Sequence, residues 1–373
     1  MNKPLISLAA AFALTTSWTS PLAAQDEPAG APSPNEIVEG AEAEDWVSIP
    51  AEDLLVMTLA PASDGTEREV VIQLMPAPFS QGWVKNIRTL ARTGWYDDIT
   101  VNRVQDNYVV QWGDLNYDNP EADGEPKLLP EGLKVMDESD YTTSGLLSVP
   151  DPRGRPRMNY HLGAMMMRNA LIAANGEVPV PEGFEQALKS GDASSVKFEK
   201  VETGDAYAPL TSIVLGWPIA RDFAEGGRKS SGVWPVHCYG MVGVGRNYSP
   251  DTGSGAELYT VIGHAPRHLD RNIALVGRII EGMEHLSSLP RGSGALGFYT
   301  EEEAAKRTPI VTVRVASDLP TAERPAFEYL STEGETFARY IEARANRRDP
   351  FFIVPAGGAD ICNIPVPIRR AGE

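Results

Sequence analysis

The sequence predicts a mainly β chain of the α+β kind, with strands that pair mostly antiparallel. Short runs rich in β-branched and aromatic residues recur at 53–59, 69–75, 99–111, 211–216, 236–244, 257–262, 273–280 and 309–316. Turn signals such as Asp64-Gly65 and Asp106-Asn107 punctuate them. Apolar residues at helical spacing are confined to a few segments. A chain with this many strands must hide its sheet edges, and closure into a barrel does so.

The 373 residues, 42% apolar and 23% charged, suffice for one large domain or two ordinary ones. The chain starts with a single cation, Lys3, and an apolar run from Leu5 to Leu14, followed by Ser20-Pro21-Leu22-Ala23-Ala24. This reads as a signal peptide over 1–24, cut after Ala24, which sends a soluble protein to a bacterial periplasm. The alternative is an N-terminal anchor, for which the run is short and broken by Thr, Ser and Pro. From Asp26 to Glu67 there are 11 acidic residues and no Lys or Arg, so 25–50 reads as an acidic linker.

The main domain is expected over 51–316. Residues 53–59 and 69–75 form a hairpin around Asp64-Gly65. Trp83, Val84, Ile87, Leu90 and Ala91 mark one face of a helix over 81–92, which Gly94 ends. Residues 99–111 return to strand. An insert follows over 115–230, with a Pro/Arg/Gly loop at 150–156 and a helix at 161–174 whose methionines read as adaptable core. Strands at 236–244, 257–262 and 273–280, a short helix at 281–288 and a closing strand at 309–316 complete the domain. The extension 317–373 holds an amphipathic helix over 333–347 and extended segments at 351–355 and 361–368.

The formal charge of −18 argues against nucleic acid as a partner, because phosphate binding needs clustered cations. Cys238 and Cys362 are the only cysteines and lack metal-ligand spacing. In an oxidising compartment they are expected to pair, closing a loop of roughly 120 residues; the alternative is two separate buried thiols. His264 and His268 stand at i, i+4, but Ala265-Pro266 breaks any helix between them. Gly253-Ser254-Gly255 lacks the flanking spacing of a nucleophile elbow, which leaves a hydrolase without its nucleophile.

The most informative stretch runs from Thr100 to Asp114. It places Arg103, Tyr108 and Gln111 at spacings of five and three among β-branched residues. Side chains alternate faces along a strand, so Tyr108 and Gln111 would not share one in an ideal strand. A bend at Asp106-Asn107 sets Arg103 and Tyr108 on neighbouring strand segments, with a permanent cation and an amide at the edge of an apolar surface.

Here the chain resembles the cyclophilin-type peptidyl-prolyl isomerases. Gly94-Trp95-Tyr96-Asp97, Asn102-Arg103-Val104 and Tyr108-Val109-Val110-Gln111-Trp112-Gly113-Asp114 are similar to the family's blocks in their order. A second group is similar downstream: His237 to Gly245, Gly255 to Thr260, Leu269-Asp270, Val276-Gly277-Arg278-Ile279 and Gly282-Met283. The resemblance implies an eight-stranded closed antiparallel barrel capped by two helices, acting on proline-containing polypeptides without metal or cofactor. It implies that Arg103 is the catalytic cation and that Gln111 bonds the substrate backbone and steadies it. Tyr108, Val109, Leu258, Tyr259, His268 and Gly245 would bind substrate, with Glu257 in place of the family's Gln and Ile273 in place of a pocket-edge His. The expected role is folding of exported proteins. The rival is a non-catalytic chaperone or binding module of the same fold, whose insert and extension carry the binding surface.

Overall fold

The computed structural model describes residues 30–117, 122–143, 205–222 and 232–372. The expected leader at 1–24, the loop at 150–156 and the helix at 161–174 lie outside the described residues.

Residues 34–50 depart from the expected linker. The Ser33 hydroxyl accepts the Glu36 N–H and the Glu36 carboxylate accepts the Ser33 N–H, with Pro34 in the first turn. This reciprocal cap starts helix α1 (Pro34–Glu39). Strand β1 (Trp46–Ser48) follows. Ile37, Trp46, Val47 and Ile49 are buried in the main core. Four apolar residues among the acids are enough to dock the segment, while Glu36, Glu39, Glu42 and Glu44 face solvent and Asp45 accepts from the Thr336 hydroxyl.

Strands β2 (Leu54–Leu59) and β3 (Arg68–Leu74) form the expected hairpin, in register from Leu54–Gln73 to Leu59–Arg68. Helix α2 (Gln81–Arg92) buries Trp83, Val84, Ile87, Leu90 and Ala91, the face read from the spacing. Its Trp83 indole donates to the Thr252 and Gly253 carbonyls, which pins the helix to a distant loop. The run expected as one strand with a bend is two: β4 (Ile99–Val104) and β5 (Val109–Gly113). Asn107, at φ 52°, turns the chain between them.

In the described part of the insert, β6 (Leu210–Val214) and β7 (Trp217–Arg221) make a tight hairpin. Strand β8 (Val233–Pro235) adds to it as a separate three-stranded sheet. The strand expected over 236–244 covers only β9 (Met241–Val244). Before it the chain turns, with Gly240 at φ 77° and the His237 N–H turned to the Asp270 carboxylate. Strands β10 (Leu258–Val261) and β11 (Leu275–Glu281) follow. The expected helix at 281–288 is a single turn, α3 (Glu284–Ser287). Strand β12 (Pro309–Val315) completes the barrel.

Eight strands close on themselves in the order β10-β5-β4-β12-β2-β3-β11-β9, and every pairing is antiparallel. No strand of this sheet is left as an edge. Arg278 on β11 ties the insert to the barrel wall: its Nε donates to the Gln73 amide at 2.8 Å and its Nη1 to the Gly216 carbonyl at 2.7 Å.

In the extension, β13 (Phe327–Leu330) pairs with β1 on one side and with β14 (Ile368–Arg370) on the other. Helix α4 (Glu335–Ala345) buries Phe337, Tyr340 and Ile341. Of the segments expected as extended at 351–355 and 361–368, only Ile368 joins a ladder, and Ile361–Asn363 is a short helical turn. Pro355, Pro365 and Pro367 supply no N–H to a ladder, so pairing begins only at Ile368. Cys238 and Cys362 form a disulfide that joins the segment before β9 to the extension.

Candidate active site

Successive side chains of β5 point to opposite faces. Val110 and Trp112 belong to the barrel core, so Val109 and Gln111 face outward. Strand β10 does the same: Leu258 is in the core, while Tyr259 and Val261 face outward. The registers then line up four outward positions in one row. Arg103 on β4 opposes Gln111 on β5, Gln111 opposes Tyr259 on β10, and Tyr259 opposes Gly243 on β9. The register of β4 shifts between Val101 and Arg103, and such an irregularity re-aims the side chain beside it.

The row therefore runs cation, amide, phenol ring, gap. Gly243 is the gap: a Cβ there would lie 2.3 Å from both Cζ and the hydroxyl of Tyr259. Only a residue without a side chain lets the phenol lie across β9. Val109, Tyr259 and Val261 form a buried apolar cluster separate from the main core, with Tyr108 and Ile273 packed at its rim. The His268 ring stacks on Tyr108, 6.5 Å between centroids and 10° between planes.

Arg103 is half-buried and held by several side-chain and backbone contacts. Its Nε donates to the Leu296 carbonyl at 2.7 Å, its Nη1 to Gln111 Oε1 at 3.1 Å and its Nη2 to Gln105 Oε1. Its Cζ lies 5.5 Å from the centroids of both Tyr108 and Phe298. These contacts hold a permanent cation in one orientation beside the apolar cluster. Burial pushes the Tyr108 hydroxyl up, with Arg103 pulling the other way. Burial pushes the Tyr259 hydroxyl well above the usual phenol range, so it stays neutral.

Of the residues singled out from sequence, Arg103, Gln111, Tyr108, Val109, Tyr259 and His268 come together here. Gly245 stands beside them, where a Cβ would lie 3.6 Å from Gln111 Nε2. Leu258 does not: it opposes Trp112 and points into the barrel. Adjacent residues of one strand cannot both line an outer site, and that alternation was available from the sequence. Gln105, Leu296 and Phe298 were missed. Gln105 is near in sequence, but Leu296 and Phe298 arrive on a loop almost 200 positions away, with Arg103 bridging to Phe298. Nothing local in the sequence points to that meeting.

A permanent hydrogen-bond donor, an amide and an apolar cluster on a rigid sheet can hold a peptide and place positive charge against one of its atoms. The model of the family described as cyclophilin type peptidyl-prolyl cis-trans isomerase/CLD matches residues 65–315. The chain is similar in structure to a cyclophilin from Hirschia baltica, AquaCyp293, with a TM-score of 0.53 and 19% identity over 87% of this chain and 93% of that one. It also aligns with a cyclophilin type peptidyl-prolyl cis-trans isomerase from Cryptosporidium parvum crystallised in the presence of the dipeptide Ala-Pro. That alignment has a TM-score of 0.30 and 9% identity, over 70% of this chain and 96% of that one. No curated protein sequence matches the chain.

Proposed function

This chain belongs to the cyclophilin type peptidyl-prolyl cis-trans isomerase family, and from that premise we propose that it isomerises Xaa-Pro bonds in proteins folding outside the cytoplasm, with Arg103 as the catalytic cation. The single observation that carries the reading is the row Arg103, Gln111, Tyr259 beside the apolar cluster of Val109 and Val261.

Rotation about a peptide bond faces a barrier of about 18–20 kcal/mol, because resonance gives the C–N bond double-bond character. Uncatalysed Xaa-Pro exchange takes tens to hundreds of seconds, on the order of 10–100 s or more. No bond breaks. In the twisted state the proline nitrogen becomes pyramidal and recovers its lone pair. A donor fixed beside that nitrogen binds the twisted state more strongly than the planar one, and only such differential binding accelerates the step. The apolar cluster holds the proline ring while the carbonyl side turns. Gln111 accepts from Arg103 through its amide oxygen and keeps its amide N–H group for a peptide carbonyl.

Two observations support an oxidising, extracytoplasmic setting: the apolar run near the N-terminus and the Cys238–Cys362 disulfide. Replacing Arg103 by Ala is expected to lower kcat/KM about 100-fold in a protease-coupled assay, with the fold intact. Purified parent protein with no rate above background would end the enzymatic reading.

A second reading, a client-binding module, is favoured by one feature of the extension. Phe351, Ile353 and Val354 are largely exposed, with Phe352 beside them. Suppression of client aggregation that survives Arg103→Ala, in a parent without turnover, would favour it.

A further inference from the structure

Behind the apolar cluster lies a chain of buried polar groups that runs from residues of the family-like blocks, Tyr259, His237 and Asp270, through Arg267 into the insert. The Tyr259 hydroxyl is 2.9 Å from His237 Nε2. His237 Nδ1 is 2.8 Å from Asp270 Oδ1, which also accepts the His237 backbone N–H at 3.0 Å. Asp270 Oδ2 accepts from Arg267 Nε at 2.7 Å. The fork of Arg267 then closes on the two oxygens of Asp205, at 2.8 and 3.2 Å. His237, Arg267 and Asp270 are all buried. Asp205 stands in the insert, five positions before β6.

The donors and acceptors of this chain run one way. A carboxylate only accepts, and Asp270 accepts through both oxygens, from the His237 backbone N–H and from Arg267 Nε. Nδ1 of His237 must therefore carry the hydrogen, which leaves Nε2 as an acceptor. The Tyr259 hydroxyl donates to it and points away from the outer apolar surface. Across Gly243 the ring has no side chain to rest against, so the hydroxyl's bond is what fixes it from that side. At the other end Arg267 is buried between two carboxylates, and removing either would leave the charge under-compensated.

We infer that His237, Asp270 and Arg267 are positioning residues for the Tyr259 ring, and that Asp205 makes the insert part of this support, so that the insert tunes how well the site holds the proline side of a peptide. The inference rests on the isomerase reading of the site and assigns the specificity of that site a remote determinant. Burial drives His237 toward its neutral form, against the pull of Asp270, which agrees with an acceptor at Nε2.

The test compares Asp205→Asn in two backgrounds, the parent and Tyr259→Phe, using a succinyl-Ala-Ala-Pro-Phe anilide peptide. KM and kcat come from the protease-coupled assay, peptide Kd from an NMR titration, and folding from near-UV circular dichroism. In the parent background, Asp205→Asn should raise KM and Kd about 3- to 10-fold and leave kcat within about 2-fold, in the range of coupling between linked residues. In the Tyr259→Phe background it should change neither. Imidazole nitrogen shifts should show the Nδ1-protonated form of His237 in the parent. Equal effects in both backgrounds, no effect in either, or an Nε2-protonated imidazole would overturn the inference. So would a parent that binds no peptide. A parent that binds peptide without turnover would end the isomerase reading alone, since the Kd series still decides the role of Asp205.

Discussion

Arg103 and Gln111 stand opposite each other across the β4–β5 ladder, with the guanidinium Nη1 3.1 Å from the amide oxygen. Two strands joined by a short turn thus deliver both polar groups of the site, and backbone pairing sets their separation. The remaining guanidinium contacts, to Leu296 and Gln105, stop the side chain from swinging out to water. An isolated surface arginine would have to give up rotamer freedom of about 1.5–2 kcal/mol on engaging a peptide. Here much of that ordering exists before the peptide arrives.

The fork geometry leads to a first prediction. Lysine keeps the charge at position 103, but it carries one ammonium and cannot meet Leu296, Gln105 and Gln111 together. Arg103→Lys should therefore lose at least about 10-fold in kcat/KM, equivalent to about 1.4 kcal/mol of transition-state stabilisation. Its melting temperature should stay within a few degrees of the parent. Parent-like turnover from the lysine variant would show that charge alone suffices.

The gap at Gly243 leads to a second. A methyl group there would sit 2.3 Å from Tyr259 Cζ, so the ring must move or the strand must bend. Gly243→Ala should destabilise by about 1–3 kcal/mol, the usual cost of overpacking. Peptide affinity should fall with it, because the displaced ring forms the floor of the site. Pairing it with Tyr259→Ala should recover the stability lost to the clash but not the affinity. Urea denaturation and peptide titration of the single and double variants decide this; additive stability losses would rule out the clash as the cause.

Much of this arrangement was legible in the sequence, and the reasons for the rest are specific. The hairpin at 54–74 and helix α2 were readable because their patterns are local: two β-rich runs around the Asp64-Gly65 turn signal, and a helical face ended by Gly94. Arg103 and Gln111 were readable because one turn separates them. The folding of 34–50 was hidden by its acidic composition, although the Ser33–Glu36 pair and Trp46-Val47 were signals of a capped helix and a buried strand. Leu258 was misplaced because two adjacent residues were carried over together when only one can face outward. The line from Asp205 to Tyr259 was beyond reach: its members come from four separate segments, and only the closed barrel brings them within hydrogen-bonding distance.

The disulfide offers a third prediction. Cys238 and Cys362 are 124 positions apart, and a cross-link over so long a loop removes much of the unfolded chain's freedom. Replacing both by Ala should lower stability by about 2–5 kcal/mol. The extension carries β13 and β14, which form one sheet with β1, and Cys238 adjoins His237, so kcat below the melting transition should change less than about 2-fold, with any loss falling on KM as for the other supports of Tyr259. Denaturation of parent and variant with and without reductant is the check. Equal stability would mean that the extension is held by its sheet alone.

The fourth prediction concerns pH and follows from the sign of one shift. Burial holds the His237 imidazole below its ordinary value of 6.5. Asp270 pulls it back up through its hydrogen bond and charge, while Arg267 and His268 push it further down. The Tyr259 hydroxyl, on the other face of the ring, is neutral across this range. In the unfolded chain the same imidazole takes up a proton as pH falls through about 6.5. Between that value and the lower folded one, the unfolded state therefore binds a proton that the folded state refuses. Stability should be fully present above about 6.5 and decline as pH falls across the window, by at most about 1.4 kcal/mol per pH unit for this one group. Asp97, paired with Arg314, is held below its ordinary value and changes charge at lower pH, outside the window; burial pushes Asp53 up against the pull of Arg88, but Asp53 is common to parent and variant, so the difference between them isolates His237. His237→Phe should remove this slope while adding a constant loss, because the Tyr259 hydroxyl is left without its acceptor. Urea midpoints of parent and variant at pH 7.5, 6.5 and 5.5, chosen as roughly spanning the imidazole range, should converge as pH falls. Curves that stay parallel would mean that the imidazole takes up its proton alike in both states, and curves that diverge as pH falls that the folded protein holds His237 protonated, with no acceptor at Nε2 for the Tyr259 phenol.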